Sequence, residues 1–203
     1  MLNRFARAGV TRLFTPLAKL LVRLGISPDA VTIVGTLGVM TGALAFYPRG
    51  ELFWGTMVIT AFVFSDSVDG IMARQLQRSS KWGAFLDSTL DRFADAAIFG
   101  GLVVWGYGVG EEPLIGHFAL AGLILGSIVP YARARAEGLG MTAAVGIAER
   151  ADRLVVVLVV TGFTGLGLPV EVLIVMLALL AFAALITVIQ RAIVVRRQVL
   201  EDA

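Results

Sequence analysis

Apolar residues in this chain run in long blocks instead of alternating with polar ones. Six blocks are long and apolar enough to predict membrane-crossing helices, at about 30–47, 52–74, 83–107, 114–136, 152–167 and 169–195. The joints between them are short and carry turn chemistry: Tyr47-Pro48-Arg49-Gly50, Gly108-Val109-Gly110 and the stretch from Gly165 to Pro169. Residues 2–24 follow a different rule. Leu2, Phe5, Val10, Leu13, Phe14, Leu17, Leu20, Leu21 and Leu24 recur mostly three or four positions apart, and every charged position among them is cationic. That pattern predicts an amphipathic helix lying in the headgroup layer. A plain basic flank is the simpler alternative, and the apolar periodicity favours the helix. Pro16 is a candidate kink. The expectation is one all-α integral membrane domain over residues 1–203, with six transmembrane helices behind an interfacial N-terminal helix and no removed signal peptide.

Composition agrees with the pattern. Of 203 residues, 58% are hydrophobic and 16% charged, against roughly 45–50% and 25% in ordinary soluble domains. Such a chain cannot cover itself with polar surface, which argues against a soluble globule, and it is too apolar for disorder. The absence of cysteine removes disulfides, thiolate metal sites and cysteine nucleophiles, and the single histidine, His117, leaves no histidine cluster. His117 sits far from the acidic residues along its span and reads as structural. Any metal must therefore be a hard, oxygen-liganded ion.

Charge also predicts orientation. Arg4, Arg7, Arg12, Lys19 and Arg23 precede the first span, Arg74, Arg78 and Lys81 join the second to the third, Arg133, Arg135, Arg150 and Arg153 join the fourth to the fifth, and Arg196 and Arg197 follow the sixth. The opposite joints carry one arginine, Arg49, with Glu51, Glu111, Glu112 and Glu171. The basic side should face the cytoplasm, with both termini there. The basic isoelectric point reflects this asymmetry, and no nucleic-acid partner is expected. Trp54, Trp82 and Trp105 lie near span ends and read as interface anchors.

Carboxylates inside membrane helices are costly and usually mark function. Here Asp66 and Asp69 close the second span, and Asp87, Asp91 and Asp95 open the third. At 3.6 residues per turn, Asp66, Asp69, Gly70, Ala73 and Arg74 share one face, while Gly83, Asp87, Asp91 and Asp95 form a slowly rotating stripe. The short Gln75–Lys81 joint should make the two helices antiparallel neighbours with facing stripes. Four converging carboxylates would repel and protonate unless cations intervened, and one or two divalent ions meet that need. Gly70, Ala73 and Gly83 remove bulk from the same face. A purely structural ionic lock with Arg74 and Arg92 is the competing reading, and Asp95 fits either role.

These residues spell Asp66-x-x-Asp69-Gly70-x-x-Ala73-Arg74, eight further residues, then Gly83-x-x-x-Asp87-x-x-x-Asp91. The pattern resembles the signature of the CDP-alcohol phosphotransferases, with every defining position matched. Within that family the chain is most similar to the actinobacterial phosphatidylinositol phosphate synthases, through Ser27-Pro28-Asp29-Ala30-Val31-Thr32, the run Arg133-Ala134-Arg135-Ala136-Glu137, and Glu149-Arg150-x-x-Arg153. Arg133 stands where a lysine is usual in those relatives. The resemblance implies attack by an alcohol on the β-phosphate of CDP-diacylglycerol with loss of CMP, inositol 1-phosphate being the acceptor. It implies that Asp66, Asp69, Asp87 and Asp91 hold Mg2+ or Mn2+, as two ions, with Asp91 also the general base. It implies donor contacts from Asp29, Ala30, Val31, Thr32, Gly70, Arg74 and Ser80, a plasma-membrane setting with the active site inside, and a homodimer. Ser27 and Pro28 read independently as a capped helix start.

A phosphorylated polyol acceptor needs cations near the carboxylates. Arg133, Arg135, Arg153 and Arg191 are the candidates, because a guanidinium forks onto phosphate. Arg153 and Arg191 depart most from mere flanking charge, since each borders or enters an apolar run; Arg150 could pair with Glu149 or Asp152. Glycerol 3-phosphate as acceptor is the alternative with the same chemistry. A divalent-cation transporter is a further alternative, disfavoured because such sites lie near the midplane.

Overall fold

The computed structural model describes the backbone of residues 2–76, 80–147 and 149–201, and the side chains there beyond residue 11 apart from Asp66 and Ser67. Arg78 and the side chains of Arg4 and Arg7, counted above among the basic residues, lie outside the described residues.

Among the described residues the chain is wholly helical. The helices are α1 (Leu2–Arg23), α2 (Pro28–Phe46), a 3-10 turn (Tyr47–Arg49), α3 (Leu52–Val63), α4 (Ser65–Gln75), α5 (Lys81–Tyr107), α6 (Pro113–Glu137), α7 (Arg150–Thr164) and α8 (Val170–Glu201). Four segments are long and apolar enough to cross a membrane: Pro28–Arg49, Leu52–Gln75, Pro113–Glu137 and Val170–Glu201. The chain is an all-α, multi-pass membrane protein. The other two blocks fall short for identifiable reasons. α5 runs 27 residues but carries Lys81, Asp87, Asp91, Arg92 and Asp95, and α7 has only 15 residues.

The helices contact one another in a closed circuit, α2 to α3, α7, α8, α6, α5 and back to α2. Inside it Val39, Ile59, Ile98, Leu102, Leu154 and Leu177 form one buried apolar core. The outward faces are equally apolar, with Leu37, Ile124, Val155 and Phe182 all exposed. Such an exterior suits hydrocarbon and not water.

Three expectations need correction. The second block is not one helix: it breaks at Phe64 into α3 and α4. The break lies beside a close approach of α2, where a Cβ on Gly35 would overlap the Ser65 side chain. Pro16 does not interrupt α1, which runs through it. Trp105 is no interface anchor; it is buried in the main core, whereas Trp54 and Trp82 are exposed.

α1 docks on α4. Ala18 is buried with Val68, Ile71 and Met72, and Phe14 stacks on Phe64 with ring centres 5.3 Å apart. The other side of α1 leaves Leu13, Leu17, Leu20 and Leu24 exposed. The helix that carries the first half of the motif is thus held from one side by α1 and from the other by α2.

Candidate active site

Two capped helix starts build the first part of the site. Ser27 Oγ accepts from the Ala30 amide at 3.2 Å with Pro28 in the first turn, as the sequence predicts for α2. Ser80 Oγ accepts from the Gly83 amide at 2.9 Å and caps α5. The two starts lie side by side: the point where a Gly83 Cβ would stand is 3.3 Å from Ser80 Oγ and 3.8 Å from Asp29 Oδ1.

The first turn of α2 also reaches α4. Thr32 Oγ1 donates to Asp69 Oδ2 at 2.6 Å, and both residues are buried. A hydroxyl bonded to a carboxylate is a strong hydrogen bond, and it holds Asp69 in one orientation. Val31 packs with α1 and α4, and Arg74 Nη1 lies 3.6 Å from where a Gly70 Cβ would be. Asp29, Val31, Thr32, Asp69 and Ser80 are therefore gathered where α2, α4 and α5 begin or end. Direct packing between α4 and α5 is slight; both pack on α2, so the facing arrangement expected from the short joint is mediated by that helix.

Asp87 is exposed on α5, and Asp91, one turn on, is half-buried. Among the described side chains no three carboxylates already form a cation site. The side chain of Asp66 lies outside the described residues. The donor set itself is all oxygen, which fits Mg2+ or Mn2+, and the one histidine has Nδ1 at the Pro113 carbonyl, 2.6 Å away.

The second part of the site is cationic and buried. Arg150 Nη1 pairs with Asp91 Oδ1 at 2.7 Å, and its Nε donates to Asp95 Oδ1 at 3.1 Å. Asp95 Oδ2 also faces Arg92 Nη1 at 3.5 Å and Arg153 Nη2 at 4.0 Å. Arg150 therefore takes neither Glu149 nor Asp152, the partners its sequence neighbours suggested. Arg153 is only 4% exposed, and a Cβ on Gly126 of α6 would collide with its guanidinium. Glycine there leaves room for the arginine head in its present position. Arg153 Nε and Nη1 have no hydrogen-bond partner. They border a cavity of about 20 Å3 lined by Arg92, Asp95, Gly126 and Ser127 among others, large enough for one water.

The remaining candidate arginines divide. Arg191 is 7% exposed and donates to the Val145 carbonyl at 2.9 Å and to the Val129 carbonyl. It is close enough to Arg133 and to Arg153 for the charges to repel. Arg133 is exposed and bonds Glu137 at 2.8 Å, and Arg135 is exposed. Sequence reasoning missed the support for the segment between α6 and α7. Gln198 accepts from the Thr142 amide at 2.9 Å and donates to its carbonyl at 2.7 Å, while Thr187 Oγ1 accepts from the Ile147 amide at 3.2 Å. Gln198 stands beside Arg196 and Arg197 at the polar end of α8, so no isolated polar residue in the sequence marked it.

The chain is similar to known proteins over most of its length. A family model for CDP-alcohol phosphatidyltransferases covers residues 25–144. The phosphatidylinositol phosphate synthase of Streptomyces avermitilis is 55% identical over 98% of this chain and 84% of that protein. The same enzyme of Cutibacterium acnes is 48% identical over 97% and 98%. Two crystal structures of the Mycobacterium tuberculosis phosphatidylinositol phosphate synthase share the fold at 39% identity and a TM-score of 0.84. One has CDP-DAG bound and covers 91% of this chain and 94% of that one; the other is in complex with manganese and citrate, covering 90% and 88%. The chain belongs to the CDP-alcohol phosphatidyltransferase family. It is a membrane-bound transferase of phospholipid synthesis.

Proposed function

We propose that this protein transfers the phosphatidyl group of CDP-diacylglycerol to inositol 1-phosphate, giving phosphatidylinositol phosphate and CMP. The observation that carries this is the Thr32–Asp69 hydrogen bond, which ties the family's N-terminal donor segment to its acidic motif at one helix junction. The identity to phosphatidylinositol phosphate synthases over nearly the whole chain supports the choice of acceptor.

In this reading Asp66, Asp69, Asp87 and Asp91 hold two Mg2+ or Mn2+ ions, which supply neutralisation of the pyrophosphate and of the leaving CMP. Asp29, Ala30, Val31, Thr32, Gly70, Arg74 and Ser80 hold the donor head. Arg153 and Arg191, with Arg133 or Arg135, hold the acceptor phosphate. Asp91 takes the proton of the acceptor hydroxyl as its oxygen bonds to the β-phosphorus and the link to CMP breaks. The domain is single, with six spans: α2, α3 with α4, α5, α6, α7 and α8. The motif ends of the helices and both termini face the cytoplasm at the plasma membrane, and α1 lies in the headgroup layer. A homodimer belongs to the same reading on resemblance alone.

The test is CMP release by purified protein with CDP-diacylglycerol, Mg2+ and a panel of acceptors. Inositol 1-phosphate should be used, and free inositol hardly at all, because the arginines would then stay unpaired. Preference for glycerol 3-phosphate would shift the acceptor, and no CMP with any acceptor would sink the reading. Asp91→Asn should lower kcat with little change in donor binding; loss of donor binding with normal turnover at saturation would remove the base role.

A further inference from the structure

A guanidinium sits on a long flexible stem, so it meets a phosphate in one geometry only when other groups fix its plane. Arg191 is held by backbone. Its Nε donates to the Val145 carbonyl at 2.9 Å and its Nη1 to the Val129 carbonyl. Val129 is fixed within α6, but Val145 belongs to the non-helical segment between α6 and α7. That carbonyl is only as steady as the segment that carries it. Thr187 stands one turn before Arg191 on α8 and is fully buried. Its Oγ1 accepts from the Ile147 amide at 3.2 Å and donates to the Ala183 carbonyl at 2.9 Å. Its methyl lies against the residue between: a Cβ on Gly146 would overlap Thr187 Cγ2, and Gly146 has a φ of +148°. One turn of α8 thus grips three consecutive residues, Val145 through Arg191, and Gly146 and Ile147 through Thr187.

We infer that Thr187 is a positioning residue for the acceptor: by docking Gly146 and Ile147 it sets the Val145 carbonyl, which in turn holds the Arg191 guanidinium toward the acceptor phosphate. The inference rests on the acceptor role proposed for Arg191. The Val145 carbonyl and Gly146 share one planar peptide group, so pinning Gly146 fixes where that oxygen points. Gln198 holds the same segment three residues earlier, at Thr142, through exposed atoms. It steadies the segment without touching that peptide plane.

The test uses full-length protein in detergent, with Michaelis constants read by CMP release. Thr187→Val keeps the shape and removes the hydroxyl. It should raise the KM for inositol 1-phosphate about three- to ten-fold, as expected for one lost hydrogen bond, with kcat and the KM for CDP-diacylglycerol within about two-fold. Thr187→Ser, which keeps the hydroxyl, should stay within about two-fold of wild type in every constant. The double variant is decisive. If Thr187 acts through Arg191, adding Thr187→Val to Arg191→Gln should raise the acceptor KM no further than Arg191→Gln alone. Effects that multiply overturn the inference, as does an unchanged acceptor KM in Thr187→Val or an equal rise in Gln198→Ala. If Thr187→Val does not fold, Gly146→Ala takes its place in the same measurements: a rise of about three-fold or more in acceptor KM is expected, and no change overturns the inference. The underlying reading fails separately: Arg191→Gln with a wild-type acceptor KM removes Arg191 from the acceptor site, and the inference with it, whatever Thr187→Val does.

Discussion

The junction of α2, α4 and α5 and the space enclosed by α5, α6, α7 and α8 both concentrate charge, at different depths. At the junction Asp87 is exposed, Asp29 is half-buried, and Asp69 is enclosed with a threonine hydroxyl on it. Within the bundle Arg153 and Arg191 are almost fully enclosed, and each is tied to a neighbouring helix or segment. A charge at the edge of the fold keeps much of its hydration and needs little support to await a mobile ligand. An enclosed charge must be matched by the fold itself. Substitution at the junction should therefore remove chemistry and spare stability, whereas substitution within the bundle should disturb both.

The largest effect is expected at the junction. Asp87→Asn and Asp69→Asn should each cut turnover by more than about a hundred-fold, beyond the 10–100-fold that loss of an outer partner costs at a metal site. Asp87→Asn should leave the melting temperature unchanged within about 2 °C, since exposed substitutions rarely exceed half a kcal/mol. A large drop in melting temperature for Asp87→Asn would break the contrast. Next is Arg153→Gln. It should raise the KM for inositol 1-phosphate by about ten- to a hundred-fold and also lower the melting temperature, because Asp95 loses a buried partner. An unchanged acceptor KM would leave Arg153 a structural charge. Thr32→Val sharpens the junction side: loss of a hydrogen bond to a carboxylate, about 1.5 kcal/mol or more, should raise the KM for CDP-diacylglycerol about ten-fold, read by CMP release at saturating acceptor. The smallest effect is expected for Gln198→Ala. Its exposed bonds to Thr142 should contribute about 1 kcal/mol, seen as a fall of about 2–4 °C in melting temperature with acceptor KM within about three-fold.

Much of this was legible in the sequence for a physical reason. A membrane helix must bury every backbone polar group in itself and needs a long apolar run, so the ends of α2, α5 and α6 fall within two residues of the expected blocks. The Ser27 cap and the spacing of the aspartates are local features, readable from residues three and four apart. What escaped depends on packing between distant segments. The break at Phe64 lies beside a close contact of Ser65 with Gly35 of α2, nearly thirty residues earlier in the chain. The partners of Arg150 lie 55 and more residues away, on α5, while its sequence neighbours offered nearer carboxylates that it does not take. The close approach of the Arg153 head to Gly126 is a contact between α7 and α6, and nothing in the helix of Gly126 singles that glycine out.

α7 carries one further consequence. Fifteen residues rise only about 22 Å, while the hydrocarbon layer is roughly 30 Å thick. As the proposed fifth span, α7 would leave several ångströms of that layer to be crossed by non-helical chain ahead of it. Peptide groups there would have no water to bond, so the protein must satisfy them itself. The bonds from Arg191 to Val145 and from Thr187 to Ile147 would meet part of that need along the segment that precedes α7. In that setting α8 would stand in for solvent, its Arg191 and Thr187 side chains bonding backbone that water could not reach.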